Sequence, residues 1–467
     1  MMPRKGFLTR ANQLAALTEV IHDRKIDPRI PDWLDDILSK KRLSRLEDAN
    51  LKEISRIFSQ TSKVPKKLST ELSKKIALSQ EVWADARSTG KTIEFVKALK
   101  EIIQLKRSEA DCIREASQDR YEALLQQFEP NQNNESLRKT LKALKRPLQE
   151  LRDRILGSGK NIKDIRGKFD GASQIKISKK ILQNIGYDFS SGRLDESLHP
   201  FSSGHRSDAR ITTRIDEATP LSCISSVLHE AGHAIYEQGI PEHLASQPSG
   251  TWCSMGVHES QSRFFENQIG RSLPFCEYLF PVLIKYFPTI GINTPEELYL
   301  AINKVSQNFI RVDSDEVSYN LHIVLRYEIE EMLILGSLEA EDIEDEWNRR
   351  FYKTFNLEIM SPIDGFLQDI HWSAGLFGYF PTYFLGNLYA AALLRRMELD
   401  LKDLTNDIRS GDFAKILLWL RENIHYKGRL FKPDQLLQDT TGSDVSIDPL
   451  MSYLSEKFNS LYDIRRV

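Results

Sequence analysis

The chain has 467 residues, enough for about three average domains. Its 64 Lys and Arg against 66 Asp and Glu leave a formal charge of −2, which excludes the chain-wide basic footprint of a nucleic-acid binder. A composition 28% charged and 40% hydrophobic excludes intrinsic disorder and points to a globular body.

The start, Met1 to Arg10, is basic but is followed by no apolar stretch of the kind a secretory leader needs. No run of about 18 uncharged apolar residues occurs, so no membrane span is expected. Cys112, Cys223, Cys253 and Cys276 are scattered, with no CxxC pair. A disulfide framework or a cysteine metal site is therefore not expected, and a cytoplasmic location is.

The first half reads as helices. Phe95, Leu99, Ile102, Ile103, Ile113, Ala116, Tyr121, Leu124, Leu125 and Phe128 fall mostly at helical spacing, with no Gly or Pro between them. Leu137, Leu141, Leu144, Leu148, Leu151 and Ile155 repeat the pattern, and Pro147 predicts a kink or a break. Residues 184–220 read as a long loop region rich in Gly and Ser, with one strand in it, Ala209 to Ile215. Helical texture then runs from Leu221 to the C-terminus. The expected organisation is one unit over 1–467, mostly α, with a small β element near its middle.

The informative segment runs from Ser226 to Tyr236 and contains His229-Glu230-Ala231-Gly232-His233, an HExxH pattern. On a helix, positions i and i+4 share a face, so His229 and His233 can both offer ring nitrogens to one metal ion. Glu230, one residue on, is suited to act on water without being a ligand. The plainer reading is a buried helix with two hydrogen-bonded histidines. A zinc site needs a third ligand. The HExxHxxGxxH form is excluded, because Tyr236 and Gly239 stand where Gly and His would be required. A carboxylate from a following helix is the other common solution. Glu259 suits it, with Arg263 four residues on to hold it; His258 and Glu266 are rival ligands.

Oxyanion donors are sought in residues 367–383, where His371, Tyr379 and Tyr383 lie near glycines. The alternative there is an aromatic core. Around Asp208, a strand would put Arg210, Thr212 and Arg214 on one face. If it is an edge strand it could pair with an extended peptide while Arg210 grips a carboxylate. Arg311 is the other candidate carboxylate clamp.

These segments together resemble the metallocarboxypeptidase Taq family, the thermostable carboxypeptidase 1 type. The motifs are DARITTR from Asp208, HEAGHAIYEQG from His229, GVHESQSRFFEN from Gly256, IRVDSDEVSYNLH from Ile310 and the GYFPTY-bearing stretch 367–383. The segments from Tyr187 to Asp195 and from Leu420 to His425 also match, so the resemblance covers nearly the whole chain. It implies a helical, saddle-shaped metallopeptidase with a deep central groove and a small β element beside the site. It implies a homodimer that releases C-terminal amino acids from peptides with broad preference and acts poorly on proline. It implies one divalent ion per subunit, zinc first, with cobalt or manganese as alternatives. Carried over, the ligands are His229, His233 and Glu259, and Glu230 is the acid/base. Arg210, Thr212 and Arg311 become substrate contacts, and His371, Tyr379 and Tyr383 catalytic helpers.

Three positions depart from the family pattern. Ser314 replaces an Ala in the IRxxAD motif. Ala392 replaces a Gln and is expected to alter one wall of the groove. Met2-Pro3 aligns where an extra N-terminal helix normally precedes, so that helix is expected to be absent. The rival readings are an HExxH endopeptidase or oligopeptidase, and a catalytically weak peptide-binding scaffold.

Overall fold

The computed structural model describes residues 6–39, 42–165 and 167–464. Met2-Pro3 lies outside them. Among the described residues, eight α-helices precede a three-stranded sheet and eleven follow it, so the fold is mostly α with a small sheet, as expected. No helix among the described residues is long and apolar enough to cross a membrane. No disulfide links Cys112, Cys223, Cys253 or Cys276.

Helix boundaries follow side-chain chemistry. Ser44 and Glu47 form a reciprocal capping box. Asp119 and Asp170 accept from the backbone of the residue three positions on and start their helices. The apolar stretch from Thr92 to Phe128 is not one helix. Helix Ile93–Ile113 stops at Arg114, whose backbone is extended, and Arg120–Leu125 begins afresh behind Asp119. Arg120 pairs with Asp111 at 2.6 Å across the break. The interruption is made by a cap, which a search for Gly and Pro overlooks. Asn134–Gly157, by contrast, continues unbroken through Pro147. Its six periodic leucine and isoleucine positions are all at most 2% exposed.

The chain divides into two compact units. The first comprises residues 1–145, 307–314 and 319–381. Its interior holds Phe95, Leu99, Tyr121, Trp347, Phe351 and Phe366, each essentially buried. It also holds a buried carboxylate, Glu330. That group accepts from Tyr121 (2.9 Å), Trp372 Nε1 (3.0 Å) and the Gly378 backbone N–H (3.2 Å). Glu330 thus pins both ends of the segment between His371 and Tyr379.

The second unit comprises residues 146–306, 315–318 and 382–467. Here the region expected to be mostly loop carries three strands. They are β1 (Leu194–Glu196), β2 (Ser202–His205) and β3 (Asp208–Thr213). β3 is the central strand, parallel to β1 and antiparallel to β2. The sheet lies on helix Pro220–Gly239, which carries the HExxH pattern. Thr213 Oγ1 and Ser226 Oγ are 2.7 Å apart across that contact.

Candidate metal centre

Thr219 caps helix Pro220–Gly239, and Pro220 occupies its first turn, where a missing N–H costs nothing. Its buried face is Cys223, Ile224, Val227, Leu228, Ala231, Ala234 and Ile235. That packing leaves His229 and His233 together on a partly exposed face. The next helix, Met255–Arg263, is capped by Ser254 and carries Glu259. The two helices meet at Gly232. A Cβ there would lie 2.3 Å from the Gln261 carbonyl oxygen and 2.5 Å from the Ser262 Cα. Glycine inside the HExxH pattern is therefore a condition for Glu259 to come close.

The donor atoms converge. Glu259 Oε2 is 3.3 Å from His233 Nε2 and 3.8 Å from His229 Nε2. One donor atom from each of the three residues lies within 4.8 Å of the others. Ligands about 2.0–2.1 Å from a tetrahedral zinc stand about 3.3 Å apart, so the donor set fits such an ion. Every other valence of the three side chains is held from behind. His229 Nδ1 is 2.8 Å from Glu266 Oε2. His233 Nδ1 is 2.5 Å from His258 Nδ1. Glu259 Oε1 accepts from Arg263 Nε at 2.8 Å, as the i,i+4 spacing predicted, and Oε2 accepts from Ser262 at 3.0 Å. The sequence offered His258 and Glu266 as rival ligands. Both instead contact the imidazole nitrogens that face away from the convergence point. Room for Glu259 also depends on Gly386, where a Cβ would sit 2.5 Å from the Glu259 Cγ. Nothing in the sequence pattern marks Gly386 for that role.

The electrostatics separate the carboxylates by task. Burial disfavours charge on Glu259 and Glu266, but His229 and Arg263 beside them win and hold both well below the usual carboxylate range. Arg263 bridges the two, 3.0 Å from Glu266. Glu230 differs: burial pushes its carboxyl up to about 7, against the pull of His229. A carboxyl poised near neutrality can both accept and return a proton. Burial pulls against His229, but Glu259 and Glu266 hold it up at about 9, while burial and His258 take His233 down to about 3.

The other sequence candidates fall in two places. In the second unit, Arg210 is exposed and paired with Asp208 at 2.6 Å. Thr212 is buried, and its hydroxyl accepts from Ser197 (2.7 Å) and the Phe201 N–H (3.0 Å). The edge-strand expectation fails here, because β3 has a partner on each side and no free backbone edge. Tyr383 is half-buried on helix Phe380–Asp400. In the first unit, Arg311 is buried and meets Asp369 Oδ1 (2.7 Å) and the Tyr319 hydroxyl (2.8 Å). Arg326, which the sequence reading passed over, takes the other Asp369 oxygen at 2.6 Å. His371 lies against Phe380 (4.4 Å between ring centroids) and Tyr379 (5.6 Å). Burial pushes its pKa down to about 3.

Two imidazoles from one helix, a glutamate from the next and a buried glutamate beside the first imidazole make the donor set of an HExxH metallohydrolase. Comparison with known proteins narrows that class. Residues 1–458 match the family described as carboxypeptidase Taq (M32) metallopeptidase. Thermostable carboxypeptidase 1 of Thermus thermophilus is 37% identical, over 99% of this chain and 93% of that protein. The M32 carboxypeptidase of Deinococcus radiodurans R1 superposes with a TM-score of 0.93 at 32% identity, covering 99% of this chain and 94% of its own. Trypanosoma cruzi metallocarboxypeptidase 1 gives 0.93 at 34% identity, with 98% and 93% covered. The chain belongs to the carboxypeptidase Taq (M32) metallopeptidase family. It is a metallocarboxypeptidase, a peptide hydrolase that depends on a divalent ion.

Proposed function

We propose that the protein releases amino acids from the free C-termini of peptides, with broad preference and poor action on proline. His229, His233 and Glu259 hold the ion, and Glu230 is the acid/base. The observation that carries this reading is the convergence of His229 Nε2, His233 Nε2 and Glu259 Oε2, with every opposite valence tied off. Zinc is the proposed ion, since two imidazoles and a carboxylate suit it, and cobalt or manganese are the alternatives.

A divalent ion at these donors supplies Lewis-acid activation of water and polarisation of the scissile carbonyl. The chain's own residues do the rest. Glu230, buried beside His229, takes the proton from the attacking water and delivers it to the leaving amine. His371, Tyr379 and Tyr383 are proposed as donors to the developing oxyanion. Arg311 is proposed to bind the substrate carboxylate. Support comes from the burial of its guanidinium, which shares the carboxylate of Asp369 with Arg326. Arg210 and Thr212 are proposed contacts on the family resemblance alone, and so is the homodimer. A single functional domain is proposed because the family match runs from residue 1 to residue 458. A cytoplasmic location is proposed because four scattered cysteines with no disulfide between them suit a reducing compartment.

The test is Glu230→Gln. Metal should remain bound and turnover should fall on the order of 10²-fold or more. Unchanged hydrolysis would remove Glu230 from its role. Release from free but not amidated peptides supports exopeptidase action, whereas equal cleavage of both would make the protein an endopeptidase.

A further inference from the structure

The two histidines of the metal centre are held in different ways. His229 turns Nδ1 directly to a carboxylate, Glu266, which also accepts from Ser225 (3.0 Å) and Arg263 (3.0 Å). His233 turns Nδ1 to another histidine. His258 Nδ1 lies 2.5 Å from it, and His258 Nε2 lies 3.2 Å from Glu237 Oε1. The two rings are within 23° of parallel. Tyr236 lies 5.5 Å from the His258 ring and Trp252 meets it edge-on at 5.7 Å. The His258 ring is thus walled in on several sides.

Two ring nitrogens so close must share one proton, and a cation on His233 Nε2 would leave one arrangement for it. His233 Nε2 faces Glu259 Oε2, so a cation there takes its lone pair and the His233 proton sits on Nδ1. His258 Nδ1 is then the acceptor. His258 must carry its own proton on Nε2, and that proton points at Glu237.

We infer that Glu237 and His258 are positioning residues, a two-step relay that fixes the tautomer and ring orientation of His233 for the ion. The inference rests on the assignment of His233 as a ligand. Glu237 and His258 are not part of the converging donor set. Glu237 acts on the ion only through His258, and His258 only through His233, whereas Glu266 acts on His229 without an intermediary.

A serial chain has a signature that general structural support lacks. Zinc affinity of the full-length protein is measured by competition with a chromophoric chelator, for the wild type, His258→Phe, Glu237→Ala and the double variant. Visible spectra of the cobalt-substituted proteins are recorded alongside. His258→Phe should weaken zinc about 10- to 100-fold and alter the cobalt spectrum. Glu237→Ala should weaken it less. The double variant should be no weaker than His258→Phe within about twofold, because the second loss has nothing left to act through. Glu237→Gln, which keeps an acceptor oxygen, should recover most of the loss seen in Glu237→Ala. Wild-type affinity in His258→Phe overturns the relay, as do losses that multiply in the double variant. If His258→Phe does not fold, the Glu237→Ala and Glu237→Gln pair decides alone, and equal affinities in the two overturn it. His233→Ala tests the underlying ligand assignment separately: if it leaves zinc binding intact, that assignment fails whatever the relay variants show.

Discussion

The metal centre and the Arg311 cluster are both buried polar sites, but they are built from opposite materials. The centre draws its donors from two consecutive helices, Pro220–Gly239 and Met255–Arg263. Its geometry is mostly helical periodicity: His229 with His233 at i,i+4, and Glu259 with Arg263 at the same spacing. The Arg311 cluster joins side chains from three separated segments, bringing Arg311, Arg326, Gln368 and Asp369 together. No local spacing relates them. A site made of neighbouring helical turns is legible from letters, while one made of distant segments becomes visible only when the chain is folded.

The sharpest way to break this contrast is His229→Ala. Removing a donor from a three-ligand set should abolish stoichiometric zinc binding and turnover together, measured by metal analysis and peptide hydrolysis. Arg263→Ala should have the next largest effect. It strips a charge-assisted hydrogen bond from Glu259 and one of several contacts from Glu266, so zinc affinity should fall about 10- to 100-fold while the protein still folds.

The first unit gives a smaller effect that depends on pH. Burial pushes the Glu330 carboxyl from its usual 4.5 up to about 8, with the hydrogen bonds from Tyr121 and Trp372 opposing. A carboxyl that binds its proton more tightly when folded contributes its full stabilisation below the unfolded value. That contribution disappears as the pH rises through the folded value. Relative to Glu330→Gln, the wild type should therefore lose stability between about pH 5 and about pH 8.5. Urea midpoints at the two pH values check this, and a difference that grows with pH would reverse the sign. The smallest effect is expected at Arg210. Its ion pair with Asp208 is exposed on both sides, so Arg210→Ala should leave the urea midpoint essentially unchanged. A rise in KM for free peptides with that stability unchanged would assign it to substrate.

Much of the candidate metal centre was readable because it is periodic. The HExxH spacing and the Arg263 partner of Glu259 both follow from helix geometry. The misreadings share one cause, which is that backbone pairing and capping are not written in composition. The stretch from Thr92 to Phe128 lacks Gly and Pro yet breaks at Arg114, because Asp119 can start a new helix. Residues 208–213 have the alternation of a strand, but alternation does not say whether a strand is central or at an edge. His258 and Glu266 are good ligands by residue type. Only the folded chain shows that both lie against the imidazole nitrogens facing away from the convergence point.

By itself the sequence determined the helical class, the placement of two histidines on one helical face and the glutamate beside them that is proposed to handle the proton. Those features depend on residues within a turn or two of one another, where backbone geometry is nearly the same in every helix. Tertiary structure decided which carboxylate approaches the histidines and what holds each donor from behind. It also decided which glycines must lack a side chain for the approach. Those outcomes depend on contacts such as Gly232 against Gln261 and Gly386 against Glu259. Close packing, which no residue spacing encodes, sets the distances there.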